Sequence, residues 1–331
     1  MNGTLIFKNK PSILTTFSVV GQKEGKSNLG KYFDEILKND RFNESSFEKA
    51  ECKMLSHSIN EVVLKGKTKL QDIDILIGGD LLNQIISAGF SARDFNLPFL
   101  GVYSACSTIT ESLLLGATFV NSEMAKNVIC VTGSHFATAE RQYRYPLELG
   151  AIRPPQSQWT VTGAGAYLIS KHQKNTPSIV SATIGRVIDY GVIDANNMGG
   201  AMAPSACVNI LKHFENTNTS PHDYDLIVTG DLGALGTRLL KYLMHKNGYD
   251  ISKNHVDCGE LIYNMSEEDF QGGSGAGCST VVMASYIYPK LKNKELKRVL
   301  FCATGALLST VSTQQGESIP GICHIVEIEN L

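Results

Sequence analysis

Ser104-Ala105-Cys106-Ser107-Thr108 brings a cysteine to a place where it could act as a nucleophile. An apolar run from Phe99 to Tyr103 reads as a strand, and it breaks into small residues just before Cys106. A helical spacing of Ile109, Leu113 and Gly116 follows. Thr108 and Glu111 have the spacing of a capping box, which predicts a helix start just after the cysteine. At such a helix mouth, unpaired N–H groups and the macrodipole favour a thiolate or another anion. The same residues also suit a small cysteine buried at a tight strand–helix junction, and this stretch leaves both readings open.

The elements that must position Cys106 can be read along the chain. Strands are predicted at Ser12 to Val20, Ile73 to Ile77, Asn127 to Thr132 and Ala166 to Ser170, with a helix over Ser45 to Leu64 and a short one from about Leu82. The stretch from Ser134 to Trp159 reads as irregular. Strands follow at Ile179 to Tyr190, Asp225 to Thr229, Val299 to Ala303 and Ile322 to Ile328. Helices are expected over Gly200 to Phe214, over Leu235 to Lys246 and from about Ser279. The loop 21–27 resembles a phosphate-binding loop but holds Val20 where the first glycine is needed, and it reads as a decoy.

The second half repeats the first in residues as well as in pattern. Residues 74–82 match 225–233, Ala105-Cys106-Ser107-Thr108 matches Gly277-Cys278-Ser279-Thr280, and Thr132-Gly133 matches Thr304-Gly305. Each of those glycines lies 27 residues after its cysteine. Two homologous halves, 1–171 and 172–331, are therefore expected. Packed back to back with helices between and outside, they would bury both sheets in a layered α/β sandwich.

Composition excludes several classes. A net charge of −2 over 331 residues gives no electrostatic case for nucleic acid or an anionic membrane. The first ten residues lack the pattern of a signal peptide, and the most apolar window is interrupted by Glu111, so no transmembrane span is expected. The eight cysteines are scattered without a CxxC pair, the pattern of reduced, buried thiols with no zinc site and no disulfide framework.

Duplicated α/β halves with a cysteine at a helix mouth resemble the thiolase superfamily, which includes thiolases and ketoacyl synthases. The match is carried by Ser104 to Thr108, Thr162 to Ile169 and the turn Gly272 to Ser279, and it spans essentially the whole chain. Ser134 to Pro146 and Asp189 to Gly199 are similar to the thiolase-like member of the SpoVA proteins of spore formers. The resemblance implies an αβαβα thiolase-like sandwich.

In the condensing enzymes a cysteine takes the acyl group while His/His, His/Asn or His/Cys partners activate it. Cys106 matches that cysteine, but Asp231 stands where ketoacyl synthases carry a histidine, and Ser274 takes the second partner's place. Cys302 falls where thiolases have an acid/base cysteine, without the glycine triplet that should follow it. A carboxylate beside the thiol raises its pKa, and a serine cannot carry protons near neutrality. Condensation is therefore not expected, and Cys106 becomes a vestigial nucleophile and pocket wall.

The ligand that the resemblance implies is dipicolinic acid or its calcium chelate, taken up in spore formation and released in germination. Arg141, Arg144 and Arg153, interleaved with Tyr143, Tyr145 and Trp159, suit a flat aromatic dicarboxylate, and His135 lies close in sequence. Asp194 could give an oxygen to calcium carried in with the ligand, although Asp194-Ala195-Asn196-Asn197 also suits a turn or a cap. No cofactor and no resident metal are expected. The implied partners are the other SpoVA membrane proteins, met peripherally at the forespore or spore inner membrane, and a homodimer is allowed. The alternative is an active acyltransferase using Cys106.

Overall fold

The computed structural model describes residues 3–143, 152–263 and 270–331. In chain order the first half holds β1 (Thr4–Ile6), β2 (Ser12–Val20), α1 (Gln22–Gly25), β3 (Glu35–Ile36), α2 (Phe47–Lys65), β4 (Ile75–Gly79), α3 (Ile86–Arg93), β5 (Phe99–Gly101), α4 (Thr108–Asn121), β6 (Asn127–Ser134), α5 (Phe136–Tyr143), β7 (Trp159–Thr160) and β8 (Gly163–Ser170). The second half holds β9 (Ser178–Thr183), α6 (Met198–Thr217), β10 (Leu226–Thr229), α7 (Gly233–Lys246), β11 (His255–Asp257), α8 (Cys258–Ile262), β12 (Gly273–Ser274), α9 (Ala276–Val282), α10 (Tyr288–Lys292), β13 (Arg298–Ala306), α11 (Thr310–Gln314) and β14 (Gly321–Glu329).

The main sheet runs β11-β10-β13-β14-β9-β2-β8-β6-β4-β5, an order mirrored about the β9/β2 junction. That junction is one residue pair, Ser12 with Ser178, whose hydroxyls lie 2.8 Å apart. In each half the outer strands pair in parallel and the inner ones antiparallel. Near-continuous apolar runs such as Val128 to Val131 and Val299 to Ala303 fit strands covered on both faces.

Three packed layers of side chains explain the stacking. Ile109, Leu113, Ala117 and Val120 of α4 pack with Val281 and Val282 of α9 in the central core, between β6 and β8 on one side and β13 and β14 on the other. Met54, Leu55, Ile59 and Val62 of α2 cover the outer face of the first half. Met202, Ala206, Ile210 and Phe214 of α6 cover that of the second. The arrangement is the expected αβαβα sandwich.

Differences from the sequence reading have local causes. The strand expected to run to Tyr190 stops at Thr183, because the chain then crosses tightly over β14: a Cβ on Gly185 would lie 2.2 Å from the Cys323 carbonyl oxygen. The stretch read as irregular contains α5, whose eight residues bury only Ala137, Thr138, Ala139 and Glu140, too short and too small a stripe for periodicity to reveal. Residues 21–27, read as a loop, instead hold the short helix α1 around the buried Glu24, which accepts from Thr162 N–H at 3.1 Å and from the Tyr263 hydroxyl. A buried carboxylate is the wrong lining for a phosphate.

Candidate functional site

Cys106 sits on a sharp elbow between β5 and α4. Ala105, just before it, has a φ of +51°, a left-handed conformation that costs a non-glycine residue energy and is often found at functional sites. The second half holds the elbow in place. A Cβ on Gly305 would lie 2.3 Å from the Ser104 carbonyl oxygen, and Ser107 Oγ donates to the Ala303 carbonyl at 2.6 Å. The capping box expected from Thr108 and Glu111 does not form. Glu111 Oε2 instead accepts from the Ser104 hydroxyl at 2.8 Å. The N–H groups of Ser107 and Thr108 turn back onto the Ser104 and Ala105 carbonyls at 3.0 and 3.3 Å. Two donors of the helix mouth are thus already used, which weakens it as a resting place for an anion.

Asp231 reaches the thiol from the end of β10. Its Oδ2 accepts from Gly275 N–H at 3.0 Å and Ser274 Oγ at 3.3 Å, and its Oδ1 accepts from Thr304 Oγ1 at 3.1 Å. Burial pushes the Asp231 carboxyl up to about 6, against the hydrogen bonds from Cys106, Gly275, Thr304 and Ser274. Burial, then the Asp231 charge, pushes the Cys106 thiol well above its usual range. That is the reverse of an activated nucleophile. The short parallel pair of β7 with β12 brings Ser274 and Thr160 to the same place from opposite halves.

A cavity of about 50 Å3 opens over Cys106. Leu81, Ala139, Met198 and Leu308 form apolar wall, and Tyr103, Tyr143, Glu140, Thr160 and Ser274 add polar groups. The Tyr103 and Tyr143 hydroxyls lie 3.1 Å apart across it. Glu140 accepts from Thr160 Oγ1 at 3.1 Å and pairs with Arg153 Nη1 at 2.9 Å, while the Arg153 guanidinium lies 5.1 Å from the Trp159 ring centroid.

Of the residues singled out in the sequence, Cys106 and Ser274 line this cavity, and Asp231 is buried directly against Cys106. Tyr143 lines it too, and Arg153 stands behind it on Glu140; His135, Arg141, Asp194 and Cys302 stand apart. His135 is buried with Nε2 against the Asp40 carbonyl oxygen at 2.8 Å and Nδ1 accepting from Ala137 N–H at 3.1 Å, so both ring nitrogens are engaged elsewhere. Arg141 faces away, paired with Glu48 at 2.8 Å beside a different surface cleft. Arg144 lies outside the described residues. Asp194 closes its own turn, accepting from Asn196 N–H at 2.9 Å and from Gln156 Nε2 at 2.9 Å; its neighbour Ala195 reaches the cavity instead. Cys302 is fully buried in the outer core of the second half, in register with Thr229. No cluster of three or more metal-ligating side chains occurs among the described residues.

Sequence reasoning missed Glu140, which lies inside the unrecognised α5. It also missed Gln158, whose Nε2 donates to the Asp231 and Gly273 carbonyls at 2.7 and 2.8 Å and ties the two halves together at the site. The glycines of the turn carry specific loads. Gly275 has a φ of +107°, and a Cβ there would lie 2.7 Å from Ser134 Oγ. Gly275→Ala is expected to cost about 2–4 kcal/mol in urea unfolding, with Gly89→Ala, where a Cβ meets nothing within 4 Å, as the neutral comparison.

The family profile of Stage V sporulation protein AD (SpoVAD) matches residues 1–329. Stage V sporulation protein AD of Bacillus subtilis (strain 168) is 41% identical over 329 residues, covering 98% of this chain and 96% of that protein. The chain belongs to the SpoVAD family. It is thus a sporulation protein of thiolase-like fold, and the carboxylate beside the cysteine belongs to a SpoVAD chain. Solved structures extend the likeness of fold only. The 3-oxoacyl-[acyl-carrier-protein] synthase III of Aquifex aeolicus VF5 is 14% identical, with a TM-score of 0.59 and coverage of 96% of this chain and 99% of its own. The tetronic acid condensing enzyme AbyA1 is 13% identical, with a TM-score of 0.61 and coverage of 95% and 99%. No described helix of this SpoVAD chain is long and apolar enough to cross a membrane.

Proposed function

We propose that this SpoVAD protein binds dipicolinic acid, or its calcium chelate, in the pocket over Cys106 and performs no condensation. The observation that carries the second half of this reading is the Asp231 carboxylate held against a fully buried thiol, with the Gly275 N–H and the Ser274 hydroxyl beside it. Burial and the neighbouring carboxylate keep the thiol protonated, and neither Asp231 nor Ser274 is the imidazole with which condensing enzymes assist their cysteine. What remains is a concave site with hydroxyls, two phenols and Glu140 in its wall and Arg153 paired to Glu140 behind it, groups that suit a flat dicarboxylate and the cation it carries. In this reading the protein serves dipicolinate uptake in sporulation and its release in germination, working peripherally at the forespore or spore inner membrane with the other SpoVA proteins. β5, at the sheet's edge with Leu100 exposed, is the strand through which a homodimer would extend the sheet.

The cavity of about 50 Å3 is well below the roughly 300 Å3 at which ordinary ligand sites begin, so binding requires the side chains at its mouth to part. Calorimetry at pH 7, with and without calcium, is expected to give saturable heat with dipicolinate, and Cys106→Ala is expected to retain it. Absence of heat and of competition under both conditions would sink the reading. Incubation with acyl-CoA followed by intact mass is expected to leave the protein unmodified; a stable adduct lost in Cys106→Ala would establish the acyltransferase instead.

A further inference from the structure

A net charge of −2 conceals an uneven distribution. α4 runs from the pocket at Cys106 to Asn121, and its fourteen residues set those ends about 20 Å apart. At the far end the segments 7–11, 122–126, 171–177 and 290–298 meet. Asn9 exchanges hydrogen bonds of 2.9 and 2.8 Å with Asn121, and Lys294 Nζ donates to Asn175 Oδ1 at 3.1 Å. Lys10 Nζ lies 4.0 Å from Glu329, across a cleft of about 340 Å3 that His172 and Lys174 also line. These four segments carry ten lysines and arginines against Glu123 and Glu295. Asp74, Asp225 and Glu329 reach the same end from neighbouring elements, so that the cations still outnumber these carboxylates two to one. Lys8, Lys10, Lys171, Lys174, Lys292 and Lys294 are all exposed.

We propose that this basic end is a docking face for an anionic bilayer surface. The proposal rests on the peripheral membrane placement given above and names the face that achieves it. Chemistry favours lipid over other polyanions. The exposed cations are lysines, hydrated point charges suited to diffuse attraction, whereas the arginine of this group, Arg298, is held by Glu327 and Glu329 at 2.6 and 3.2 Å. Phe7, the one Phe, Tyr or Trp of these segments, is buried, which leaves the His172 imidazole as the exposed ring, a poor platform for a run of nucleic-acid bases. Met124, 78% exposed beside Lys126, gives an apolar side chain at the level where headgroups meet acyl chains. Each lysine near an anionic surface strengthens attachment, within a Debye length that salt shortens. Docked this way, the protein turns its pocket away from the lipid and toward solution.

Co-sedimentation of the full chain with vesicles tests the assignment. Vesicles of phosphatidylglycerol mixed with phosphatidylcholine are expected to bind it, phosphatidylcholine alone is not, and binding should vanish between about 0.1 M and about 1 M salt. The double variant Lys174→Glu/Lys294→Glu is expected to lower partitioning by at least about tenfold, at about fivefold per lysine. The charge-matched Lys38→Glu/Lys49→Glu, at the pocket end, should leave partitioning unchanged, and thermal melts of both variants control for folding. Equal binding to both vesicle types, equal loss in both variants, or single-stranded DNA binding through Lys174 and Lys294 in place of vesicle binding overturns the proposal. A chain that fractionates with spore membranes yet ignores vesicles keeps the peripheral placement and loses this face. Dipicolinate calorimetry on the Lys174→Glu/Lys294→Glu variant reports on the pocket independently.

Discussion

Asp231→Asn is expected to speed the alkylation of Cys106 at pH 8 by at least about tenfold. The substitution keeps the shape of the side chain. Its oxygen can still accept from Gly275 N–H, and its amide can turn to Thr304 Oγ1, which accepts as readily as it donates. What disappears is the negative charge beside the thiol, the second cause of its raised pKa after burial. Iodoacetamide labelling followed by intact mass, with Cys106→Ala to identify the site, measures the effect. An unchanged rate would mean that Asp231 does not hold a charge against Cys106 at that pH.

Thermal stability is expected to peak near about pH 4 and to fall by about 3 kcal/mol between about pH 5.5 and 8. Burial pushes the Glu24 and Asp257 carboxyls up to about 7 and those of Asp80 and Asp231 up to about 6. In each case the folded state binds its proton more tightly than the unfolded chain. The stability these groups contribute is therefore complete below about pH 4 and is lost as the pH rises through 6 to 7. Two effects close the acid side. Burial pulls His255 down to about 3 and His324 down to about 4, so these rings favour folding only while neutral. For Glu327, burial acts upward, but hydrogen bonds from His213 and Ser181 and the Arg298 charge outweigh it and bring the group to about 2; its contribution disappears as the pH drops from 4.5 toward 2. Scanning melts from about pH 2.5 to about pH 9 would show the dome, and a melting temperature still rising from about pH 6 to about pH 8 would contradict these assignments.

The fold was legible because its signals are long and redundant. Fully apolar strands, helices of fourteen to twenty residues and a twofold repetition of cysteine, threonine and glycine at fixed spacing all point to one layered architecture. The centre of the site was legible from the resemblance, since Asp231 and Ser274 stand where the condensing enzymes' two partners are expected. The rim was not. Arg141 and His135 lie close in sequence to Glu140, but on an α-helix neighbouring positions point to different faces, and α5 turns Ala139, Glu140 and Tyr143 to the cavity while Arg141 meets Glu48. Net charge is silent in a similar way, because a sum over the chain carries no information about which end holds the lysines.

One helix has two allegiances. α4 packs against strands of both halves, β4, β6 and β8 on one side and β13 and β14 on the other. Direct strand pairing between the halves is short: β1 with β9, Ser12 with Ser178, and β7 with β12. Neither half could therefore survive as a fragment: cut at the middle of the chain, the second half would present the bare inner face of β13 and β14 to water, and the first would carry a helix with half its apolar stripe exposed. A scaffold built this way is indifferent to whether Cys106 reacts, since the helix behind it must stay where it is for the molecule to fold at all. That lets the chemistry at its tip be rewritten while the shape is kept.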